Sequence, residues 1–596
     1  MEIRQLQSLR ILSNKDNIAK INFLPYSSGM KNLISIILSL FLSIQLFSQI
    51  GSTIPKDRKV EWQYAGYMHN DVEIPTEYDY TVTVKGYNNT AIEKALSDAV
   101  EHNRRNPEHL TRIYFPPGIY NITKSIELNS THNNIVLAGA KAGSDPETCT
   151  ILKFDGKIPY KDYPVIQLKG SASNKTYSIV KYDSGNKKIY LNIPANEIAS
   201  GDFVEIEIPN GEWQDTYNDK VNNWNRVPKF YVGQIVKVIS SSNHKKELAL
   251  KDEIGLIYSF AVQNNPRLTA TVRMISNRVD NIGIESFTIE SGEKYTSDEP
   301  CGKRTAHINM EYATNCWVKL IGSINPGTNH VHISKSAFIE VRDSYFRGAH
   351  YHGGCGNAYG VMLWKHPTYC LIENNVFRDL RHSILLQLGA NHNVIGYNYS
   401  REQHDLLNLS KEDISLHGHF AYANLFEGNY VDRMGIDLYW GKSGPYNTFF
   451  RNYSKDRILK MEWERNVYDP DTRKIHHKII GDNRFNILGN EAKVYTTVNN
   501  RTDVVQKEAP SDALDIYGFN DYSGNKIFSH SLYTNDSYTQ KYLPDISYYY
   551  KEKPGFLKGF SWPPIGPPAE LGGELTDQNI PARKEFCSWP GSVCDE

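Results

Sequence analysis

Asn374-Asn375-Val376, Tyr397-Asn398-Tyr399, Gly428-Asn429-Tyr430 and Arg451-Asn452-Tyr453 follow one another through the stretch Ile339 to Phe485. Asp343-Ser344-Tyr345 opens the series and Asp482-Asn483-Arg484-Phe485 closes it. The central positions, 344, 375, 398, 429, 452 and 483, are separated by 31, 23, 31, 23 and 31 residues. Such an alternation reads as one coil of a solenoid, with and without an insertion. Periods of about 20–50 residues mark stacked repeats.

A second phrase recurs inside each coil. Val361-Met362-Leu363-Trp364, Ile384-Leu385-Leu386-Gln387, Ile414-Ser415-Leu416-His417, Ile436-Asp437-Leu438-Tyr439 and Ile458-Leu459-Lys460-Met461 align. First and third members are apolar except Lys460, the period-two alternation of a strand with one buried face. The expected inward row is Val361, Ile384, Ile414, Ile436, Ile458, with Leu363, Leu386, Leu416 and Leu438 beside it. The expected outward row is Trp364, Gln387, His417, Tyr439. Short β-branched strands with an asparagine at one corner predict an all-β fold. It is a right-handed parallel β-helix, a single-chain solenoid, with the asparagine side chains satisfying the stacked turns.

The 596 residues give ample core. A net charge of −1 argues against nucleic acid or an acidic membrane surface as partner. The 39 tyrosines and 9 tryptophans supply ring faces suited to the C–H faces of sugars. Met30-Lys31 opens an uncharged run, Leu33 to Phe47, that is short for a membrane span and ends in Ser48-Gln49. The expectation is a start at Met30, an upstream extension over 1–29, a signal peptide over 30–50, and a periplasmic or secreted product. Seven cysteines fit an oxidising compartment. Cys587 with Cys594, Cys355 with Cys370, and Cys301 with Cys316 are candidate pairs. No CxxC or Cys/His finger spacing is present, so no structural zinc site is expected.

Residues 51–170 read as an N-terminal cap and first coils. Tyr80–Val84 is a strand, Asn88-Asn89-Thr90 caps a helix from Ala91, and Arg112-Ile113-Tyr114-Phe115-Pro116-Pro117-Gly118-Ile119-Tyr120 follows. From 171 to 257 the coil rhythm gives way to pieces such as Phe203–Ile208 and Gln234–Ile239, read as a small antiparallel β insertion. Coils resume and run over 258–530. A proline-rich tail, 531–596, is expected to pack along the solenoid and cover its last edge. The trio of strand, capping helix and Phe-Pro-Pro-Gly-x-Tyr turn resembles the N-terminal cap of pectate-lyase-like β-helix proteins. Ile135–Gly139 and Thr150–Phe154 resemble that superfamily's first full coil. The resemblance implies the fold and not the reaction, because the superfamily hosts lyases, hydrolases, epimerases and tailspikes. The Asn-, Lys- and Tyr-rich style resembles secreted marine bacterial enzymes that digest algal polysaccharides, ulvan among them.

Two long loops, about 348–359 and 402–413, precede the strand row, and a third insertion, about 464–477, follows it. Raised walls on both edges describe a groove. Ten of the 19 histidines fall here: His330, His332, His350, His352, His366, His382, His392, His404, His417 and His419. Arg347, Arg378 and Arg401 stack past the corner, with Lys455 beyond. His417, His419, His404 and Tyr439 are the catalytic candidates. Arg381, His382, Lys442, Trp364, Gln387, Arg401, Trp440 and His352 are candidates for binding an anionic poly- or oligosaccharide. The plainer alternatives are a polar surface row, an arginine ladder paired with acids, and an ion-pair cluster of Asp437, Glu462, Glu464 and Arg465.

Three functions compete. The first is β-elimination from a uronate, as a lyase or as an oligosaccharide dehydratase. It needs a base for the C5 proton, a cation for the carboxylate and an acid for the C4 oxygen. His417 or His419, Arg381 or Lys442, and Tyr439 fit those roles. The second is hydrolysis by a carboxylate pair among Asp437, Glu462 and Glu464. The third is a non-catalytic glycan-binding solenoid. No cluster of acids suggests calcium, so elimination without an essential metal is expected.

Overall fold

The computed structural model describes residues 54, 59–154, 164–208, 232–242, 244–255, 269–292, 306–354, 356–406, 412–468, 475–480, 485–488, 490, 494–498, 545–560, 562–565 and 581. For 455–468, 475–480, 487, 488 and 494–498 this covers the backbone alone. The start and signal segments, the four cysteines 301, 355, 587 and 594, and the side chains of Lys455, Glu462, Glu464 and Arg465 lie outside the described residues.

Each turn of chain contributes three short strands, and like strands of successive turns pair in parallel. One column is an 11-stranded sheet from Tyr80–Thr83 through Thr111–Phe115, Ile135–Gly139 and Gly283–Glu285 to Asn486–Leu488. The other two columns make up an 18-stranded sheet. In one, Tyr345–Arg347 pairs with Val376–Arg378 and then Tyr399–Arg401. In the other, Tyr359–Trp364 pairs with His382–Gln387 and then Ile414–His417. The chain is a parallel β-helix. Its core is one apolar stack from Val84 and Ile92 to Phe449 and Phe485. The first coil is capped by the helix Asn89–Arg105, whose N-terminus is closed by the Asn88 side chain accepting from the Ala91 N–H.

The asparagines line the corner as expected. Asn398 Nδ2 donates to Ile372 O at 2.8 Å and to Asn429 Oδ1 at 3.0 Å, and Asn375, Asn429 and Asn452 repeat the pattern. The ladder ends on Asn490 rather than Asn483, which lies outside the described residues. A second ladder, Asn393–Asn424–Asn447, runs down another corner. Its spacing of 31 and then 23 residues repeats the rhythm of the first.

The register departs from the expected alignment in two successive coils. Ile414–His417 pairs with Met434–Asp437, so Asp437, not Tyr439, stands beside His417. The inward partners are Met434 and Ile436, and Met461 rather than Ile458 follows Ile436. The slip of two beside His417 keeps every side chain on its own face, so period-two patterning cannot detect it, whereas the offset of three onto Met461 arises from register shifts along the strand Tyr430–Asp437.

The insertion is a closed antiparallel barrel of six strands between Tyr177 and Met274, ending past residue 257. It sits on the column of turns Ala337, Thr368, Asn391 and Tyr422. Ile235 N–H donates to Thr368 Oγ1 at 3.1 Å, and Asn391 Nδ2 donates to Gly233 O at 2.8 Å. The described tail residues run along the 11-stranded column. The Ser547 hydroxyl and the Tyr548 N–H donate to the Glu427 carboxylate, and Arg451 donates to Asp545 O and Ile565 O. Cys316 and Cys370 are free, buried thiols, each directed at the carbonyl two residues before it, so their proposed disulfides are not formed.

Candidate functional site

His417 ends its strand on the outer face. Its Nδ1 lies 2.5 Å from Asp437 Oδ2, and its Nε2 accepts from the Trp440 indole N–H at 3.0 Å. An indole nitrogen can only donate. His417 Nε2 is therefore a lone pair, and Nδ1 carries the proton given to Asp437. Asp437 Oδ1 also accepts the Tyr439 N–H at 2.9 Å, which fixes the chain past the strand. The Tyr439 ring lies parallel to His417 at 6.1 Å and is 40% exposed, while both members of the His417–Asp437 pair are mostly covered.

Trp440 is held on three sides. His419 stacks on it at 5.6 Å, Tyr439 meets it edge-on at 4.7 Å, and its N–H is on His417. The turn Gly418-His419-Phe420 makes this possible, with φ of +70°, +50° and +60°. A Cβ on Gly418 would sit 2.7 Å from Gly441 O, so glycine is required there. His419 itself is buried. Its Nδ1 meets Gln387 Nε2 at 2.9 Å, and burial pushes its pKa down to about 3. Expected as a catalytic base, it stacks on Trp440 and is held by Gln387. Lys442, half-buried, follows on the same turn, its carbonyl accepting from Phe420 N–H.

His382, at the other end of the neighbouring strand, is fully buried, with its ring 6.3 Å from His417. Its Nδ1 donates to Glu412 O at 2.6 Å, which leaves Nε2 as a lone pair. Among the described residues that atom has no hydrogen-bond partner, nor does the buried Ser415 Oγ. Burial, and then the Arg381 charge, hold the His382 pKa down to about 4. Arg381 is buried where the two loops meet. It reaches Tyr359 OH at 3.3 Å, and Gly353 O and Asp405 Oδ2 at 3.5 Å. Tyr359, Asp405 and Glu412 escaped the sequence reading because each gains its place from a loop of unpatterned length.

The remaining candidates stand elsewhere. Trp364 packs half-buried against the barrel's apolar cluster, with Lys365 Nζ 4.7 Å over its ring. The barrel, absent from any strand-row argument, covers that end of the row. Arg347, Arg378 and Arg401 do stack, and Arg378 and Arg401 are paired with Glu402 and Asp432. His352 and His404, on the two long loops, stack on each other at 4.4 Å beside Asp379. The histidines do not line one groove. His330 and His392 are buried with pKa values pushed down to about 3, and His366 contacts Glu205 of the barrel at 2.5 Å. Composition brings histidines to this stretch, but loops and barrel decide which of them water reaches.

No protein-family model matches the chain, and no curated protein matches it. Among solved structures, it is similar to the tailspike protein gp49 from Pseudomonas phage LKA1, at 14% identity and a TM-score of 0.43, over 67% of this chain and 56% of that one. The tailspike gp61 of Pseudomonas phage phi297 aligns at 12% identity and a TM-score of 0.36, over 66% of this chain and 63% of that one. The chain thus spans less than two thirds of either. DFA-IIIase from Arthrobacter chlorophenolicus A6 aligns at 9% identity and a TM-score of 0.34, over 72% and 87%. At these values the similarities carry no argument about the site or its chemistry.

Proposed function

We propose that the chain is a carbohydrate-active enzyme that acts by β-elimination on a uronate-bearing glycan. The observation that carries this reading is the His417 tautomer. Asp437 holds the Nδ1 proton, so Nε2 is set to accept one, beside a half-exposed phenol. In the resting chain the indole of Trp440 occupies that lone pair, and substrate entering the face displaces it. The C5–H bond then breaks with its proton passing to His417 Nε2, its electrons form the C4–C5 double bond, and the C4–O bond breaks. The departing oxygen takes the phenolic proton of Tyr439. Lys442, three residues on, is the cation for the substrate carboxylate. Arg381 ties the two loops together. If C4 bears a sugar the enzyme is a lyase, and if it bears a hydroxyl it is a dehydratase. A sulfated, ulvan-like glycan satisfies this chemistry.

A second reading is favoured by the register. Met461 pairs with Ile436, which puts Glu462 at the coil position next to Asp437. Adjacent strands lie about 4.8 Å apart, within reach of the spacing of a hydrolytic carboxylate pair. The test is to incubate the purified chain with ulvan, alginate, pectate and their pre-cut oligomers, following ultraviolet absorbance of the unsaturated product alongside reducing ends. Unsaturation with shortening means a lyase, and unsaturation without shortening a dehydratase. Reducing ends without unsaturation overturn elimination in favour of hydrolysis. Neither signal on any glycan leaves a binding solenoid.

A further inference from the structure

Two groups of side chains, among the described residues, bring three nitrogen or carboxylate ligand atoms close together. The first, Glu205, Glu207 and His366, is buried at the barrel junction and already neutralised. Arg273 Nη2 reaches Glu205 at 2.7 Å and Glu207 at 3.4 Å. An ion would have to displace a guanidinium from a closed site.

The second is different in kind. Asp379 follows the strand Val376–Arg378, and His404 follows the next strand of the same column, Tyr399–Arg401. His352 arrives from the long loop of the preceding coil. Asp379 Oδ1 lies 3.1 Å from His404 Nδ1 and 3.5 Å from His352 Nε2, and all three ligand atoms fall within 4.8 Å of one another. His352 Nε2 also gives its proton to Asp379 O at 2.7 Å. Backbone bonds hold the loops in place, His404 N–H to Leu380 O at 2.8 Å and Leu406 N–H to His352 O at 3.2 Å. His352 is nearly buried, while His404 and Asp379 are 46% and 43% exposed, so one side of the group is open to solvent.

We propose that His352, Asp379 and His404 bind a zinc-class divalent transition metal, with the remaining coordination positions open to water or to a carboxylate. The metal would replace the two ring protons that now face Asp379. Bonds of about 2.0–2.1 Å in tetrahedral geometry place neighbouring ligand atoms about 3.3 Å apart. The two observed nitrogen–oxygen separations bracket that value. Two imidazoles and one carboxylate select zinc, cobalt, nickel or iron over calcium and magnesium, which take oxygen ligands. Three protein ligands, not four, is the set of a site that keeps a position free. This departs from the metal-free expectation drawn from the sequence, where His352 and His404 were assigned to the sugar groove. It does not depend on the elimination reading, because metal binding is measured without turnover.

The test uses the untagged full chain, stripped with a chelator, and titrates it calorimetrically with zinc chloride. Cobalt chloride serves as a visible probe. The chain should bind one equivalent of zinc, and the cobalt adduct should show the visible bands of a low-coordinate nitrogen–oxygen site. His404→Ala and Asp379→Asn, each checked for an unchanged melting curve, should weaken zinc binding at least about tenfold and remove the cobalt bands. His352→Gln gives an independent third arm should either variant fail to fold. Absence of zinc binding by the parent chain, or the same stoichiometry and affinity in the folded variants, would overturn the proposal.

Discussion

Two histidine–carboxylate contacts of equal length, 2.5 Å, sit in different parts of the molecule and do different work. His366 meets Glu205 where the barrel seats on the coils, with both side chains at most 1% exposed. Arg273, Tyr312 and Lys335 close around them, Tyr312 OH reaching Glu205 at 3.1 Å and Lys335 Nζ reaching Tyr312 OH at 2.9 Å. His417 meets Asp437 at the end of a strand, with 14% and 16% exposure and an open phenol alongside. The first pair is sealed by neighbours that spend its charge on joining two parts of the fold. The second keeps one nitrogen lone pair on the indole N–H of Trp440. A short contact of this kind says little until its surroundings are counted.

The sharpest way to break the comparison is to remove each histidine or its acid and see which property responds. His417→Ala should lower turnover of a uronate glycan by about 10²–10⁴-fold, the range for losing a positioned acid or base, with the denaturation midpoint nearly unchanged. Glu205→Ala should do the reverse. It removes the carboxylate from the buried His366 and leaves Arg273 with the carboxylate of Glu207, and should cost about 3–5 kcal/mol of stability, read from urea unfolding. If Glu205→Ala is as stable as the parent, the junction is not the glue described.

The corner ladder offers a smaller test. Asn429→Ala leaves the Asn398 N–H and Nδ2 without their shared acceptor in the interior. A loss of about 1–3 kcal/mol is expected from the unsatisfied donors. The last test concerns pH. His392 is packed between Tyr369 and Tyr422, and burial holds its pKa near about 3. Its folded value lies below the unfolded value of about 6.5, so the unfolded chain takes up the proton first. Its contribution is whole above pH about 6.5 and is lost as pH falls toward the folded value. His392→Gln should flatten the loss of stability between pH about 6.5 and about 4, by at most about 1.4 kcal/mol per pH unit. Identical slopes in parent and variant would contradict this account of the buried ring.

The coils were legible because each turn must solve the same two problems, filling the core and satisfying the corner. Ile384, Ile414 and Asn398 are answers repeated at a fixed spacing. The second asparagine ladder carried the same 31 and 23 rhythm and was open to the same reading. The candidate site was legible only to the level of a face. His417 was placed on the outer row, but the partner at its side was off by two residues, a slip that preserves parity. Trp364, His419 and His382 were expected in the open. They are covered because exposure on a β-helix is set by what the barrel and the loops lay over it, and neither repeats.

The central claim is that His417 Nε2 is a proton acceptor held ready by Asp437. The most direct test follows the ultraviolet absorbance of the unsaturated product as uronate oligosaccharides are turned over by the parent chain, His417→Ala and Asp437→Asn. The account predicts steady formation of the double bond by the parent, loss of it in both variants, and no change in their melting curves. Undiminished formation of the double bond by a folded His417→Ala chain would contradict it.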